Sequence, residues 1–357
     1  MNIYVLDTNL HIAGIIDNYT SVIWTTRYFL CGDFELYLPA TAKAIELLKG
    51  KYYLCRDKDA FQSDSGTRYK NVMIIERIEV TTDVEEGNYL VITGRSLKSI
   101  LKRRIIWQQT SLNGRVEVGI RQLISENAIE PVILERKIQR LMMDDPINAA
   151  EVHEAQFTGD NLGEVIETLC TTHGYGYDID IVDGKFLFYL YAGVDRSYKQ
   201  DVNPHVVFSD QFENLLKTNY SYDMTDYKNV ALVAGEGEGL ERKTQTVGEA
   251  ADLERFEKYV DARDVSANNG EYTEEEYDNM LTNRGLESIN ASPVVENFSG
   301  ETETRLTYKL NEDFFLGDIV QVKNEYGIEA SPRILEIIES DSEEGTSIIP
   351  TFSTLEV

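Results

Sequence analysis

One pattern of residues occurs twice, once near each end of this 357-residue chain. Phe29-Leu-Cys-Gly32-Asp33-Phe34 resembles Phe314-Phe-Leu-Gly317-Asp318-Ile319. Ile74-Ile75-Glu76-Arg77-Ile78-Glu79 resembles Ile334-Leu335-Glu336-Ile337-Ile338-Glu339. Each copy runs on into Asp-x-Glu-Glu-Gly, at Asp83 to Gly87 and at Asp341 to Gly345, and then into an apolar strand; the second turn is reached two residues sooner. A repeated strand–turn–strand pattern implies a repeated unit of fold. We therefore expect two similar small β-barrels, one near each end, with the remaining segments inserted between strands. Acidic hairpin tips are common, so a chance echo is the competing reading.

The rest of the chain fits a mainly β, α+β class. Asn2 to Leu6, Leu10 to Ile16, Ser21 to Tyr28 and Gly32 to Leu38 read as strands, the last with Phe34, Leu36 and Leu38 on one face. Thr41 to Lys49 is a short helix with Thr41 as N-cap. Asn71 to Val80 and Asn88 to Thr93 form a hairpin. Ser96 to Ile106 reads as a helix with Leu97, Ile100, Leu101 and Ile105 inward; its Lys98, Lys102, Arg103 and Arg104 are the chain's one basic patch, read as a solvated face. Helices at Val116 to Asn127 and Asp160 to Thr171, the latter capped by Asp160, precede a hairpin on the Asp183-Gly184 turn, Tyr177 to Ile181 with Lys185 to Tyr191. Strands return at Val206 to Ser209, Leu215 to Tyr222 and Asn229 to Ala234, the last apolar on both faces. Ala250 to Val260 and Thr273 to Leu286 read as helices, the second opened by a Thr273/Glu276 capping box, with a loop at Asn268-Asn269-Gly270 between them. Glu303 to Leu310, Gly317 to Asn324, Arg333 to Ser340 and Thr346 to Phe352 close the chain as strands. The domains expected are 1–114, an N-terminal β-barrel; 115–204, an inserted helix-plus-sheet module; 205–247, strands returning to the second barrel; 248–292, an acidic helical insertion; and 293–357, the C-terminal barrel strands.

Lys and Arg number 34 against 62 Asp and Glu, a net charge of −28. That balance argues against gripping nucleic acid or an anionic membrane through cations. Cys31, Cys55 and Cys170 are widely spaced with no CxxC, which speaks against a disulfide framework or a zinc site. The first residues lack the basic opening of a signal peptide, and no window approaches the roughly 20 apolar residues of a membrane span. The run Gly235-Glu-Gly237-Glu-Gly239 follows a strand, but it matches neither phosphate-binding fingerprint, and two glutamates repel an anion. It reads as close backbone contacts where the chain leaves the second barrel.

His11, His153, His173 and His205 are scattered, and His153-Glu154 lacks the second His of a zincin. Asp144-Asp145 reads as a loop pair, and no Ser lies in GxSxG. Cys170 beside His173 could form a nucleophile pair, but its place on an apolar helix face favours the core. No catalytic, cofactor-binding or metal residue is assigned. These observations favour a structural or binding protein.

Five stretches in order resemble the tail hub proteins of tailed bacteriophages. Ile16-Asp-Asn-Tyr-Thr-Ser-Val-Ile-Trp24 with Arg27-Tyr28 and Gly32-Asp-Phe-Glu-Leu36 is similar to the family's opening strands. Gly193-Val-Asp195-Arg196-Ser197 resembles its Gly-x-Asp-Arg-Ser/Thr turn. Tyr227-Lys-Asn229-Val-Ala-Leu-Val-Ala-Gly235-Glu-Gly237 resembles its strand-plus-glycine run, Arg255 to Asp264 its Val-Asp-Ala-Arg-Asp segment, and Leu316-Gly-Asp-Ile-Val320 with Pro350-Thr-Phe352 its closing barrel. The family includes the siphophage Gp37-like proteins, the baseplate hubs of contractile tails and the N-terminal module of tail-associated lysins. The resemblance implies a ring-forming, non-enzymatic homotrimer at the tail tip. It would join the sixfold tube or distal tail ring to a threefold tip and pass DNA or the tape-measure protein. The implied partners are further copies of itself, a distal tail or tail tube protein, the tape-measure protein and a tip, spike or receptor-binding protein. The implied place is the virion, after assembly in the host cytoplasm. The lytic and receptor-binding extensions of some relatives are not expected. A cell-wall hydrolase and a host-surface glycan binder remain the alternative readings.

Overall fold

The computed structural model describes residues 1–50, 53–63, 66–83, 87–267, 272–302, 307–327 and 329–353. It opens with β1 (Ile3–Leu6), β2 (Ile12–Ile16), β3 (Ser21–Arg27) and β4 (Asp33–Pro39). Phe34, Leu36 and Leu38 are buried, as the alternation requires. The Thr41 hydroxyl accepts from the Ala44 N–H at 3.1 Å and so caps α1 (Ala42–Leu48). Then follow β5 (Tyr53–Arg56), the hairpin β6 (Ala60–Ser63) and β7 (Gly66–Tyr69), and the long hairpin β8 (Met73–Asp83) and β9 (Gly87–Ser96).

Ser96 to Ile106 is not an α-helix: Leu97–Arg103 winds as a 3₁₀ helix. With three residues per turn, Lys98 falls on the same side as buried Leu101 and is itself buried, while Ile105 is left exposed.

Next come β10 (Thr110–Arg115), α2 (Val116–Ile124), β11 (Leu141–Met143), β12 (Val152–Phe157), α3 (Leu162–His173), β13 (Gly176–Val182) and β14 (Lys185–Tyr191). A wider π turn, Ser125–Ile129, prolongs α2. Asn161, not Asp160, caps α3, its side-chain oxygen accepting from the Gly163 N–H at 3.0 Å. Asp183 (φ 48°) and Gly184 (φ 72°) both take the left-handed conformation that a two-residue hairpin turn needs. The β6–β7 hairpin joins β11, β13 and β14 in one sheet, in the order β11-β14-β13-β7-β6, and so ties this stretch to the N-terminal strands.

The chain continues through β15 (Val207–Ser209), β16 (Leu215–Asp223), β17 (Val230–Ala234), β18 (Thr244–Val247), β19 (Glu257–Asp261) and α4 (Glu274–Asn290). It ends with β20 (Val295–Thr302), β21 (Gln321–Lys323), β22 (Glu329–Ala330), β23 (Arg333–Ser342) and β24 (Gly345–Ser353). The Thr273/Glu276 capping box opens α4 as read. Ala250 to Val260 is not a helix: Asp252–Glu254 is a 3₁₀ turn, and β19 runs parallel to β17, which supplies its backbone partners. The strand β17 lies outside the large sheet. It pairs with β18 and β19 and packs Ala231 and Val233 on Tyr277, Met280 and Leu281 of α4, whereas Leu232 is exposed. The loop at 268–270 and the start of the strand read at 303–310 lie outside the described residues. Thr307 to Leu310 adds only a bridge from Leu310 to Phe314, and the strand of this region is β20.

The large sheet has eleven strands in the order β16-β20-β24-β23-β3-β4-β9-β8-β5-β1-β2. Within it one four-strand arrangement occurs twice. In β3-β4-β9-β8 and in β16-β20-β24-β23, chain order runs first, second, fourth, third across the sheet. The registers match as well. Trp24 stands opposite Phe34 and Tyr220 opposite Phe298. Phe34 stands opposite Gly94 and Phe298 opposite Phe352. The third strand bulges between Ile75 and Arg77 in one unit and between Ile334 and Glu336 in the other. The hairpins close at Asp83 with Gly87 and at Ser342 with Gly345. The structural equivalence is thus Ile75 with Ile334 and Arg77 with Glu336, one residue out of step with the sequence echo. The Phe29 and Phe314 segments are not equivalent, because Asn297 takes the place of Asp33. The halves keep separate cores, one including Val22, Trp24, Leu36 and Leu90, the other Phe208, Phe314, Val322 and Phe352. The strand β23 pairs antiparallel with β3, so hydrogen bonds join the units in one sheet, and no closed barrel occurs among the described pairings.

Candidate functional site

Two segments named above, Gly193 to Ser197 and Leu316 to Val320, meet in a buried joint. Asp318 is 1% exposed. Its carboxylate accepts from the Val194 N–H at 2.8 Å, Arg196 Nε at 2.7 Å and the Phe315 N–H at 3.0 Å. These donors offset the cost of taking the charge out of water. The Ile319 N–H donates to the Val194 carbonyl at 3.0 Å, and the Arg196 N–H to the Ile319 carbonyl at 2.7 Å. Tyr28, just beyond β3, completes the joint. Its hydroxyl accepts from the Gly193 N–H at 3.0 Å and donates to the Gly174 carbonyl at 3.1 Å. Arg333 lies 5.4 Å above its ring and donates to the Gly317 carbonyl at 2.6 Å. Burial holds the Tyr28 hydroxyl above its ordinary pKa, so it stays protonated. A Cβ on Gly176 or Gly317 would fall 2.2 Å from a Tyr28 ring carbon, so both positions require glycine. First strands, inserted module and last strands are fixed to one another here.

A second cluster spans the β23–β3 seam. Arg56, 1% exposed, places Nε 2.5 Å from Asp59 and Nη1 2.6 Å from Glu339 of β23, with its guanidinium 5.1 Å from the Trp24 ring centre. Lys58 also pairs with Glu339. Burial alone would raise the Glu339 pKa; Arg56 and Lys58 outweigh it and hold the carboxyl below its usual range. Arg27 adds an ion pair to Glu336 at 2.5 Å and another to Asp33.

The basic patch divides. Lys98 donates to the carbonyls of Arg27 at 2.6 Å and of Tyr28 and Leu30 at 3.3 Å, with its ammonium 4.6 Å from the Tyr177 ring centre. Burial lowers its pKa. It is a structural cation, not a solvated one. Lys102 pairs with Glu167 at 2.7 Å. Arg104 and Arg136 are held by backbone carbonyls, Arg104 Nε on Arg136 and Arg136 Nη2 on Ile105. Partial burial, then repulsion from Arg103 and Arg104 respectively, lowers both pKa values. With Trp107, which lies 4.9 Å from the Arg136 guanidinium, they line a cavity of about 380 Å³ that has room for an anionic group on an apolar stem.

Cys170 is fully buried, and its thiol is pushed up to about 12 by desolvation. His173 points its Nε2 to His153 Nδ1 at 3.1 Å, and His153 Nε2 lies 3.0 Å from Glu287 of α4. The Cys-His pair is therefore not assembled; this histidine pair sits instead where β12 and α3 meet α4. Among the described residues no group of three His, Cys, Asp or Glu is placed to hold a metal ion. In the Gly-Glu run, the Glu236 N–H donates to the Tyr277 hydroxyl at 2.8 Å, and Arg242 donates to the carbonyls of Ala234 at 2.9 Å and Gly235 at 3.0 Å. The run leaves the small sheet rather than a barrel, and the Tyr277 contact explains Gly235, where a Cβ would lie 2.3 Å from the hydroxyl.

No curated protein sequence matches the chain. Solved structures share its fold over almost their whole lengths. The 43 kDa tail protein of prophage MuSo2 from Shewanella oneidensis has a TM-score of 0.59 at 12% identity, covering 99% of this chain and 98% of that one. A tail protein from Neisseria meningitidis gives 0.57 at 12% identity, covering 98% and 95%. The prophage tail protein gp18 of Listeria monocytogenes gives 0.53 at 12% identity, covering 100% and 96%. The model of the Siphovirus ReqiPepy6 Gp37-like proteins matches residues 2–353. The prophage tail proteins share the fold of this chain, and the chain itself belongs to the Siphovirus ReqiPepy6 Gp37-like family.

Proposed function

We propose that three copies form a ring at the distal end of the tail, joining a sixfold tail tube or distal tail ring to a threefold tip, with a lumen that passes DNA or the tape-measure protein. One observation carries this reading: the chain contains the same four-strand unit twice, in the same strand order and register. Three such chains present six like surfaces, which is what a sixfold partner requires. The buried polar joints support a load-transmitting role. Asp318 and Glu339 each fix one half of the chain to another through a desolvated ion pair. Neither joint offers a reactive group facing a cleft, and the candidate nucleophile Cys170 is a core thiol. The role proposed is therefore mechanical rather than catalytic. The net charge of −28 suits a passage through which a polyanion slides without sticking. Sedimentation or light-scattering mass across a concentration series tests the reading, with a trimer expected; a protein that remains monomeric at the highest concentrations overturns it.

A further inference from the structure

Acids outnumber cations 62 to 34 in this chain, yet Arg104 and Arg136 stand side by side with no carboxylate of the described residues paired to either. Each guanidinium is held by a backbone carbonyl, Arg104 Nε on Arg136 at 2.6 Å and Arg136 Nη2 on Ile105. Each is disfavoured first by partial burial and then by the arginine next to it. Glu135 lines the same cavity, but neither arginine gains from it. A carboxylate entering the cavity would relieve that repulsion and meet two guanidinium forks, which suit its planar pair of oxygens.

The walls of this cavity are fixed in advance. The π turn Ser125–Ile129 brings the buried side chain of Asn127 to them. Its oxygen accepts from the Trp107 N–H at 3.0 Å and from Arg136 Nη2 at 3.5 Å, while its amide donates to the Leu123 carbonyl at 3.0 Å. Single π turns are uncommon and are frequent at functional positions. Apolar side chains surround the charge. Ile105, Trp107 and Ile133 line the cavity, and Val132 and Leu134 flank Ile133 on the chain. All five are exposed: Trp107 by 56%, Val132 by 82% and Leu134 by 75%. Scattered exposed apolar residues are ordinary, whereas a group of them beside paired cations marks a binding surface.

We infer that this cavity docks an acidic, amphipathic segment of a partner protein: one Asp or Glu carboxylate seats between Arg104 and Arg136, and an aliphatic neighbour packs on Trp107 and the Val132–Leu134 run. The inference is independent of the ring reading. Charge complementarity selects an acidic partner, and Trp and Arg are the residue types that concentrate binding energy in protein interfaces. An anionic bilayer or a nucleic acid fits less well, because either would meet the net charge of −28 carried by the whole chain.

The test uses the full-length chain and three short blocked peptides, repeats of Glu-Leu-Ser, Gln-Leu-Ser and Glu-Ser-Ser. Of the two tryptophans Trp24 is buried and Trp107 exposed, so indole emission reports on the cavity. The Glu-Leu-Ser peptide should give a saturable blue shift that Trp107→Phe abolishes. The other two peptides should bind roughly tenfold more weakly, and Arg136→Gln should weaken the first by a similar factor. Arg136 also holds a backbone carbonyl, so Leu134→Ser serves as a second variant; it should weaken binding with an unchanged urea midpoint. Equal binding of all three peptides, no saturable shift, or binding untouched by both Arg136→Gln and Leu134→Ser overturns the inference. A blue shift on phosphatidylglycerol vesicles without one on the peptide assigns the patch to a membrane and also overturns it. Loss of self-association in Leu134→Ser by light scattering assigns the patch to a second copy, with the same result.

Discussion

Asp318 is the residue on which the most chain depends. It is desolvated, paired with Arg196, and accepts from two backbone N–H groups. Asp318→Ala would leave a largely buried guanidinium without its partner and two amides without an acceptor. Removing one member of a buried pair costs about 3–5 kcal/mol. We expect a loss of stability of that order in urea unfolding; a change below about 1 kcal/mol would mean the joint is not structural. Both segments of the joint, Gly193 to Ser197 and Leu316 to Val320, are among the stretches that resemble the tail hub family. That they are each other's partners was not readable, since nothing along the chain encodes contact over 122 residues. Lys98 shows the opposite case. Its neighbours on the chain are basic, so it read as solvated, yet the 3₁₀ pitch and three carbonyls draw it inside.

At the scale of elements, helix α4 is held to the inserted module partly through titratable groups. His173 of α3, His153 of β12 and Glu287 of α4 form a line, with Glu151 close enough to act on His173. Burial first, and His153 second, lower the His173 pKa; Glu151 and Glu287 oppose this without reversing it. A histidine whose folded pKa is depressed binds fewer protons folded than unfolded. Its contribution to stability is therefore intact above the ordinary value of about 6.5 and is lost as pH falls through it. Amide exchange within α4 should accelerate between about pH 7.5 and about pH 5, and His173→Gln should blunt that change. If α4 exchanges equally at both values after correction for intrinsic rates, the pair has no such role. The segment from Ala250 to Val260 teaches a related lesson. Its composition favours a helix, but β17 offers a parallel row of backbone partners, and tertiary pairing overrides weak propensity.

At the scale of the whole molecule, charge and architecture oppose each other. Each copy carries −28, so bringing three together concentrates like charge. Association should therefore strengthen, not weaken, as salt rises from about 0.01 M to about 0.15 M, where the screening length shrinks from about 30 Å to about 8 Å. Sedimentation at the two ionic strengths checks this. Weaker association in salt would mean that attractive ion pairs between copies outweigh the repulsion.

By itself, the sequence determined the local grammar. Period-2 alternation gave the strands of the two units, side-chain oxygens gave the caps of α1 and α4, and the Asp183-Gly184 turn gave its hairpin, because each depends on residues a few positions apart. The echo of Ile74 and Ile334 announced the repeat, although one residue out of register, since side-chain likeness cannot locate a bulge. Only the tertiary structure decided that the repeats share one sheet through β3 and β23, and that β17 lies outside that sheet and packs on α4. Those outcomes depend on which backbone donors and acceptors find partners after all strands compete, and that competition is settled in three dimensions.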